Sequence, residues 1–388
     1  MTPAARVQAA AELLDQILDG TPAEKALTGW ARRSRFAGSK DRAAIRDHVF
    51  DALRNLRSYG ALGGARTGRG LMIGALRAAG QDPAELFTGQ GHAPSPLTGD
   101  ELIPRAPSSA EAMNLPDWLI PVFQDSLGDR AEQVAQTLQS RAPVMLRVNT
   151  RKGTRDQAIA ALAGDSITAE PAQISDTALI VTEGMRKVNN SQAYASGLVE
   201  LQDGGSQALV DRIAVQDGQN VLDYCAGGGG KTLAIAGRIQ GKFYAHDANP
   251  RRLKDLPERA CRASVSVQVV EAAQLSEHAP FDLVLCDVPC SGSGSWRRSP
   301  EAKWALSLDA LNELNAIQSD ILDKTHGLVG QSGSLVYATC SVLKAENQNR
   351  INAFLASHPD WRCEWQENWL PGPENDGFFA ACLTRFAE

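Results

Sequence analysis

Apolar residues recur at helical spacing between Arg6 and Leu62, and no alternating strand pattern interrupts them. The repeat is formed by Val7, Leu14, Ile17, Leu18, Ile45, Val49, Leu53 and Leu56. The pattern predicts an all-helical domain over residues 1–87 with arginines on its polar faces. These arginines are Arg32, Arg33, Arg35, Arg42, Arg46, Arg54 and Arg57.

Beyond the helical segment, the sequence pattern changes twice before residue 204. Residues 88–108 are rich in proline and glycine, which predicts a linker over 88–110. A helical pattern, NLPDWLIPVFQDSLG, then precedes a strand, PVMLRVNT, and a second helix, TRDQAIAALAG. This order predicts a small α+β subdomain over 111–203.

From Gly204 onward, short apolar strands alternate with helices. The predicted strands are NVLDY, KFYAHD, SVQVV, FDLVLCD and GSLVYATC. Such alternation is typical of an α/β fold with a doubly wound parallel sheet, here over 204–388. Ligands bind such folds at the carboxyl ends of the strands.

Charge is divided unevenly along the 388 residues, whose formal net charge is −6. Residues 1–77 hold 13 Lys or Arg against 7 Asp or Glu, so a basic N-terminal segment precedes an acidic body. This asymmetry favours a polyanionic partner for the N-terminal segment, although a solvated helical face explains it as well. No apolar run is long enough to span a membrane and no signal-peptide core is present, so we expect a cytoplasmic protein.

The seven cysteines are odd in number and include no CxxC pair. We therefore expect reduced thiols and neither a disulfide framework nor a metal site.

A glycine-rich loop follows the first strand of the predicted sheet. It comprises Cys225, Ala226, Gly227, Gly228, Gly229 and Gly230, and Lys231-Thr232 begins the next helix. Glycines let the backbone approach a ligand, and a helix N-terminus presents free N–H groups to it. A P-loop of a nucleotide hydrolase is the alternative, but its GxxxxGK[ST] pattern would require a glycine where Cys225 stands.

Two acidic residues follow the next two strands. Asp247 lies about 20 residues beyond the loop, where a carboxylate accepts hydrogen bonds from both ribose hydroxyls of a nucleoside cofactor. Glu271 is placed to reach the base of the same cofactor. A helix N-cap is the alternative for Asp247, and a surface carboxylate is the alternative for Glu271.

Two cysteines follow neighbouring strands. Cys290 ends the run Asp287-Val288-Pro289-Cys290, and Cys340 follows the fifth strand. A thiolate that adds to C6 of a pyrimidine makes C5 nucleophilic enough to accept a methyl group, and a second thiol can assist release. The remaining cysteines are expected to be inert: Cys225, Cys261, Cys286, Cys363 and Cys382.

Taken together, these motifs resemble those of the NOL1/NOP2/Sun family of RNA 5-cytosine methyltransferases, and within it the bacterial small-subunit ribosomal RNA enzymes. The likeness spans 115–388. The family loop CAAPGGKT appears as CAGGGGKT, D-x-P-C-S-G is intact at 287–292, and T-C-S is intact at 339–341, followed by Glu346-Asn347. The family's RRHPDIKW run appears as RRSPEAKW at 297–304, which either holds the RNA strand or begins a surface helix with Trp304 in the core.

The resemblance implies a Rossmann-like sheet that binds S-adenosyl-L-methionine, an RNA-recognition-like α+β subdomain before it, and a NusB-like helical RNA-binding domain at the N-terminus. It implies that Cys340 is the nucleophile, that Cys290 assists release, and that Asp287 and Lys231 lie beside both substrates. The implied cofactor-binding residues are Cys225, Ala226, Gly227, Gly228, Gly229, Gly230, Lys231, Asp247, Arg252, Glu271 and Asp287.

The expected reaction forms 5-methylcytosine, in 16S ribosomal RNA by the resemblance. The same chemistry on transfer RNA or another RNA stays open, as does a non-catalytic RNA-binding or ribosome-assembly role. A monomer that uses no metal is expected.

Overall fold

The computed structural model describes residues 1–386, apart from the side chain of Asp100. The chain forms two compact units. The N-terminal unit comprises Met1–Arg141 and Trp296–Leu306, and the second unit comprises Ala142–Ser295 and Ser307–Glu388. The domain boundaries predicted at residues 88, 111 and 204 were drawn from sequence composition, whereas these two units are defined by compactness. The predicted boundaries therefore stay a prediction.

The N-terminal unit is helical, as its periodicity predicts. Numbered along the whole chain, its helices are α1 (Pro3–Leu18), α2 (Ala23–Arg33), α3 (Ser39–Arg54), α4 (Leu56–Gly63), α5 (Gly68–Ala78), α6 (Ser109–Ala112), α7 (Leu119–Leu127), α8 (Ala131–Thr137) and α15 (Pro300–Ala305). The start of α1 is fixed by Thr2, whose side chain accepts a hydrogen bond from the Ala5 N–H.

Most of the apolar residues in the predicted repeat form the core of this unit. Val7, Leu14, Ile45 and Val49 are buried, and so are Leu53 and Leu56. The prediction for Leu18 is wrong, because this last residue of α1 is 40% exposed.

Two of the arginines predicted on polar faces are instead buried. The Arg54 Nε donates to the Arg297 carbonyl oxygen (2.7 Å), and Arg57 donates to the Leu115 carbonyl oxygen (2.6 Å) and pairs with Asp117. A guanidinium can be buried when backbone carbonyls accept from it, and helical periodicity does not reveal such acceptors. The other five predicted arginines are exposed.

The proline-rich segment predicted as a linker is held against these helices. The guanidinium of Arg69 donates to the carbonyl oxygens of Ser95 and Pro96, each at 3.0 Å, and pairs with Glu101. Leu97 packs against the helical core. The segment is therefore anchored by hydrogen bonds and packing between Ser95 and Glu101.

The chain returns to the N-terminal unit for Trp296–Leu306. The Trp304 Nε1 donates to the Leu53 carbonyl oxygen (2.7 Å), and the Lys303 ammonium donates to that of Arg54 (3.3 Å). Burial, with the charge of Arg54 adding to it, lowers the pKa of Lys303 to about 7. Lys303 is thus buried inside this unit and Trp304 is partly buried against its core, whereas Arg298 is exposed.

The second unit begins with a small antiparallel sheet of order β2-β3-β1-β4. Its elements are β1 (Val144–Val148), α9 (Arg155–Gly164), β2 (Thr168–Pro171), β3 (Ala178–Glu183), α10 (Gln192–Ala195) and β4 (Val199–Leu201). Leu146, Leu162, Leu179 and Val199 form its core. The predicted α+β character of this region is confirmed.

A seven-stranded sheet forms the rest of the unit, in the order β10-β11-β9-β8-β5-β6-β7. Its strands are β5 (Asn220–Asp223), β6 (Lys242–Ala245), β7 (Gln268–Val269), β8 (Phe281–Asp287), β9 (Val329–Thr339), β10 (Trp361–Trp369) and β11 (Phe378–Arg385). The helices around it are α11 (Gly204–Arg212), α12 (Gly230–Arg238), α13 (Leu256–Ala263), α14 (Leu275–His278), α16 (Leu308–Thr325) and α17 (Gln348–Ser357).

Strands β5 to β9 pair in parallel, which confirms the predicted doubly wound sheet. The edge strand β10, which the strand pattern did not predict, pairs antiparallel with β11. The strand order reverses between β5 and β8, so the loops after these strands and after β9 meet at one edge of the sheet.

Helices α4 and α5 pack closely through glycines. A Cβ added at Gly74 would collide with the Tyr59 carbonyl oxygen, whereas one added at Gly29 of α2 would meet only the end of the Arg33 side chain. We therefore expect Gly74→Ala to destabilise the N-terminal unit by about 1–3 kcal/mol, because neighbouring backbone must move. The control Gly29→Ala should be neutral or stabilising by about 1 kcal/mol. Urea unfolding of the full chain measures both effects, and equal midpoints for the two variants would contradict the close packing.

Candidate active site

The glycine-rich loop joins β5 to α12 at the sheet edge. Gly227 and Gly229 have φ values of 52° and 77°, and a Cβ at Gly229 would collide with the Leu256 side chain. No side chain caps the N-terminus of α12. The loop therefore requires glycine for its conformation, and the helix that follows it offers main-chain donors to an anionic or polar ligand.

Asp247 lies next to this loop, as predicted, and is buried. Its carboxylate accepts hydrogen bonds from the N–H groups of Gly227 and Asn249, both at 2.9 Å, and pairs with Arg252 at 3.3 Å. Asp247 thereby fixes the loop, and lone pairs remain on its oxygens for a ligand. Glu271 is exposed after β7, and its contact with a cofactor stays a prediction.

Asp223, at the end of β5, belongs to the site although the sequence analysis did not select it. Its Oδ2 accepts a hydrogen bond from the Thr232 hydroxyl (2.6 Å), and its Oδ1 is buried without a partner. Burial raises the pKa of Asp223 to about 7, against the effect of the Thr232 hydrogen bond. Its position in the sequence could have indicated this role, because Asp223 is the acidic residue at the end of an apolar strand just before the glycine loop.

Lys231 and Asp287 form a close ion pair in this region. The Lys231 Nζ lies 2.6 Å from the Asp287 Oδ2, which joins the first turn of α12 to the end of β8. Burial opposes the charged ammonium, but the attraction and hydrogen bond of Asp287 outweigh it, so the pKa of Lys231 is raised. A lysine that stays protonated beside a carboxylate can orient a polar substrate group.

The two cysteines predicted to react lie together. Their Sγ atoms are 3.4 Å apart, and both side chains are partly buried. The hydrogen bond from the Cys290 thiol is the main cause of a lowered pKa at Cys340, and the charge of Lys231 acts in the same direction against burial and Asp287. That hydrogen bond also raises the pKa of Cys290. These two shifts favour the thiolate form of Cys340 over that of Cys290.

Four of the remaining cysteines are at least partly buried, as expected of inert thiols, and the fifth is not. Burial raises the pKa of Cys225, Cys286, Cys363 and Cys382, in the case of Cys286 to about 12. Cys261 is exposed on α13. Among the residues that the structure describes, no group of three or more His, Cys, Asp or Glu side chains is arranged to hold a metal ion.

A cavity of about 1100 Å³ lies in the N-terminal unit, but none of the residues predicted to react or to bind a cofactor lines it. Within residues 1–386, no helix combines the length and apolar character needed to cross a membrane. The residues predicted to react or to bind a cofactor instead follow strands of the large sheet.

The hydrogen bond between the thiols predicts a specific pH dependence. Cys340 should react with iodoacetamide at a lower pH than an ordinary thiol, because only the thiolate reacts. Cys290→Ala removes the donor, so the midpoint of the rate profile should move upward by about one pH unit, as expected for one lost hydrogen bond. Peptide mass spectrometry between pH 5.5 and 9 measures alkylation, with Cys261→Ala as the control. An unchanged midpoint in Cys290→Ala would show that Cys290 does not stabilise the thiolate.

Comparison with known proteins places this chain among methyltransferases. The family description "16S rRNA methyltransferase RsmB/F" matches residues 210–384, and a ferredoxin-like domain of RsmF/B-like methyltransferases matches residues 115–188. The crystal structure of PH0851 is similar in fold, with a TM-score of 0.76, 23% identity and 99% coverage of both chains.

Two curated relatives are both named ribosomal RNA small subunit methyltransferase B. That of Serratia proteamaculans is 33% identical over 74% of this chain and 70% of its own length. That of Vibrio cholerae is 34% identical over 70% of this chain and 65% of its own length. The chain therefore belongs to the RsmB/F family of 16S rRNA methyltransferases, whose members depend on S-adenosylmethionine.

Proposed function

We propose that this protein forms 5-methylcytosine in RNA, with Cys340 as the nucleophile and Cys290 as the thiol that assists release. The observation that carries the proposal is the thiol pair, with 3.4 Å between the Sγ atoms and a lowered pKa at Cys340. Many methyltransferases need no nucleophile of their own, because their substrates are already nucleophilic. C5 of cytosine is too weakly nucleophilic to accept a methyl group directly, and a thiolate that adds to C6 overcomes this.

The residues around the glycine loop fit S-adenosylmethionine, which supplies the methyl group. The main-chain N–H groups at the start of α12 suit the carboxylate of its methionine part. The buried Asp247 suits the ribose hydroxyls. The loop residues 225–230, with Lys231, Arg252 and Asp287, complete the proposed site, and Glu271 is its least supported member because it is exposed.

The side chains of the site divide the reaction between them. The Cys340 thiolate forms a bond to C6 of cytosine, and the resulting enamine makes C5 the atom that accepts the methyl group. A water molecule then takes the C5 proton, the electron pair of that C–H bond restores the double bond between C5 and C6, and the bond between C6 and sulfur breaks so that Cys340 leaves as a thiolate. The Cys290 thiol, which already donates to Cys340 Sγ, stabilises the departing sulfur. The Lys231–Asp287 pair lies where it can hold the polar edge of the base.

The proposed substrate is small-subunit ribosomal RNA, as for the relatives named above. The exposed arginines of the N-terminal unit, including Arg32, Arg35 and Arg42, are suited to contact phosphates, and such contacts set position rather than sequence. The target cytosine must leave its stack to reach the thiolate. This substrate implies a cytoplasmic enzyme. A monomeric state and a metal-free reaction stay predictions.

The first test is methyl transfer from labelled S-adenosylmethionine to unmodified 16S ribosomal RNA, with bisulfite mapping of the product. Label at a bisulfite-resistant cytosine supports both the reaction and the substrate. If the protein binds S-adenosylmethionine but labels only transfer RNA or an assembling particle, the chemistry stands and the substrate is wrong. Tight RNA binding without binding of S-adenosylmethionine would favour a non-catalytic role.

Cys340→Ala should abolish methylation while S-adenosylmethionine still binds with its original affinity, because the thiolate is needed only for addition to C6. Isothermal titration gives the affinity, and filter-bound label gives the turnover. Cys261→Ala is the matched control, since this exposed cysteine lies outside the thiol pair. Full turnover by Cys340→Ala would exclude it as the nucleophile.

Cys290→Ala should behave differently, because it impairs release rather than addition. We expect a covalent protein–RNA adduct to accumulate and to appear as a slowly migrating band on a denaturing gel. The double variant Cys290→Ala/Cys340→Ala should show no such band. Normal turnover without an adduct would contradict the assisting role of Cys290.

A further inference from the structure

Glu346, seven residues after β9, is a completely buried carboxylate at the edge of the site. Its Oε1 accepts hydrogen bonds from the Ser291 N–H (2.7 Å) and the Gln318 Nε2 (3.1 Å). Its Oε2 accepts from the hydroxyls of Ser291 and Ser341, both at 2.5 Å. Four donors thus converge on one carboxylate, and an ionised carboxylate accepts at every lone pair.

The donors connect the two turns that carry the thiols. Ser291 directly follows Cys290, and Ser341 directly follows Cys340. The hydroxyls of Ser293 and Ser341 also lie 2.8 Å apart, and the Gly294 N–H donates to the Cys340 carbonyl oxygen (2.9 Å). The two turns are therefore held to each other, with Glu346 as the acceptor they share.

Glu346 is itself fixed in place by its own main chain and its neighbour. The Tyr337 hydroxyl donates to the Glu346 carbonyl oxygen (2.6 Å). The side chain of Asn347 accepts from the Thr339 hydroxyl (2.6 Å) and donates to the Ser341 carbonyl oxygen (2.9 Å). These contacts hold the carboxylate against the end of β9, so it can act as a rigid support.

A buried carboxylate is costly to desolvate, and here the cost is offset by hydrogen bonds rather than by a cation. None of the four donors to the carboxylate is a charged side chain. A fold that needed only to fill this space could use an apolar residue. The convergence on the two cysteine turns therefore points to a role in geometry.

We propose that Glu346 is a positioning residue that sets the distance between the Cys290 and Cys340 thiols. This inference rests on the proposed function, because it assigns a purpose to that distance. Three of the four hydrogen bonds involve Ser291 or Gln318, and Gln318 also donates to the Pro289 carbonyl oxygen (2.9 Å). The turn of Cys290 therefore depends on Glu346 more than the turn of Cys340 does.

This asymmetry predicts which step fails when the carboxylate is replaced. Glu346→Gln keeps the size of the side chain but replaces one acceptor oxygen with a donor. The turn of Cys290 should shift, so release should slow more than addition to C6. Turnover should fall by about tenfold to hundredfold, the range expected when a reacting group is displaced by about 1 Å. The fraction of protein held as RNA adduct should rise, as in Cys290→Ala.

The kinetic experiment compares wild type, Glu346→Gln and the control Glu313→Gln, which changes an exposed carboxylate of α16. Turnover, adduct fraction and affinity for S-adenosylmethionine are measured for each. Reduced turnover with more adduct and unchanged affinity supports the positioning role. Turnover equal to that of Glu313→Gln, or turnover and adduct falling together, would overturn it.

A second experiment tests the thiol distance without any activity. Diamide oxidises two neighbouring thiols to a disulfide, taking up their two protons and two electrons, and mass spectrometry of peptides measures the Cys290–Cys340 product. We expect this cross-link to form about tenfold more slowly in Glu346→Gln than in wild type. An equal rate in both proteins would overturn the inference.

Ser341→Ala provides a milder change, in case Glu346→Gln does not fold. It disconnects the turn of Cys340 from the carboxylate and leaves the other three hydrogen bonds in place. Its Cys290–Cys340 cross-link should also form more slowly than in wild type, and a wild-type rate would count against the positioning role of Glu346. If wild-type protein makes no 5-methylcytosine, the proposed function fails, whereas the cross-linking rates still decide whether Glu346 sets the thiol distance.

Discussion

The parallel pairing of β8 with β9 is the constraint on which the site depends. In this register Asp287 lies opposite Ala338, so the chain leaves both strands at the same level of the sheet. The next few residues of each strand are the two turns that carry Cys290 and Cys340. A shift of the register would separate the thiols by the spacing of successive residues along a strand, about 3.3 Å for each step. The main-chain hydrogen bonds therefore bring the two turns to the same level of the sheet, and side chains act on the thiol distance within that arrangement.

The sequence was sufficient for the elements and motifs whose signal is local. The apolar strands of the large sheet, the glycine loop and the two cysteines are each readable within about ten residues. The surroundings of Glu346 were not readable, because its partners Ser291 and Gln318 are distant along the chain. The position of Asp223 before the glycine loop was visible in the sequence, but its raised pKa was not, since that depends on burial by residues of other elements.

In the N-terminal unit, helical periodicity does not reveal which positively charged side chains are buried. Pattern analysis places every charged residue on a polar face, yet Arg54, Arg57 and Lys303 are buried there. Each of them donates to a main-chain carbonyl oxygen, and their long side chains also provide apolar packing. Such residues link distant segments of the chain by hydrogen bonds, and only the tertiary structure shows which carbonyl groups accept from them.

The return of Trp296–Leu306 to the N-terminal unit matters for protein synthesis. The ribosome makes a chain from its N-terminus, and domains generally fold as units while synthesis proceeds. Here the helices of Met1–Arg141 emerge early, but α15 and its hydrogen bonds to Leu53 and Arg54 must wait until residue 306 has been made. The N-terminal unit therefore completes its fold only after residues 142–295 have emerged. Although the two units are distinct, completion of the N-terminal unit depends on synthesis of most of the second unit.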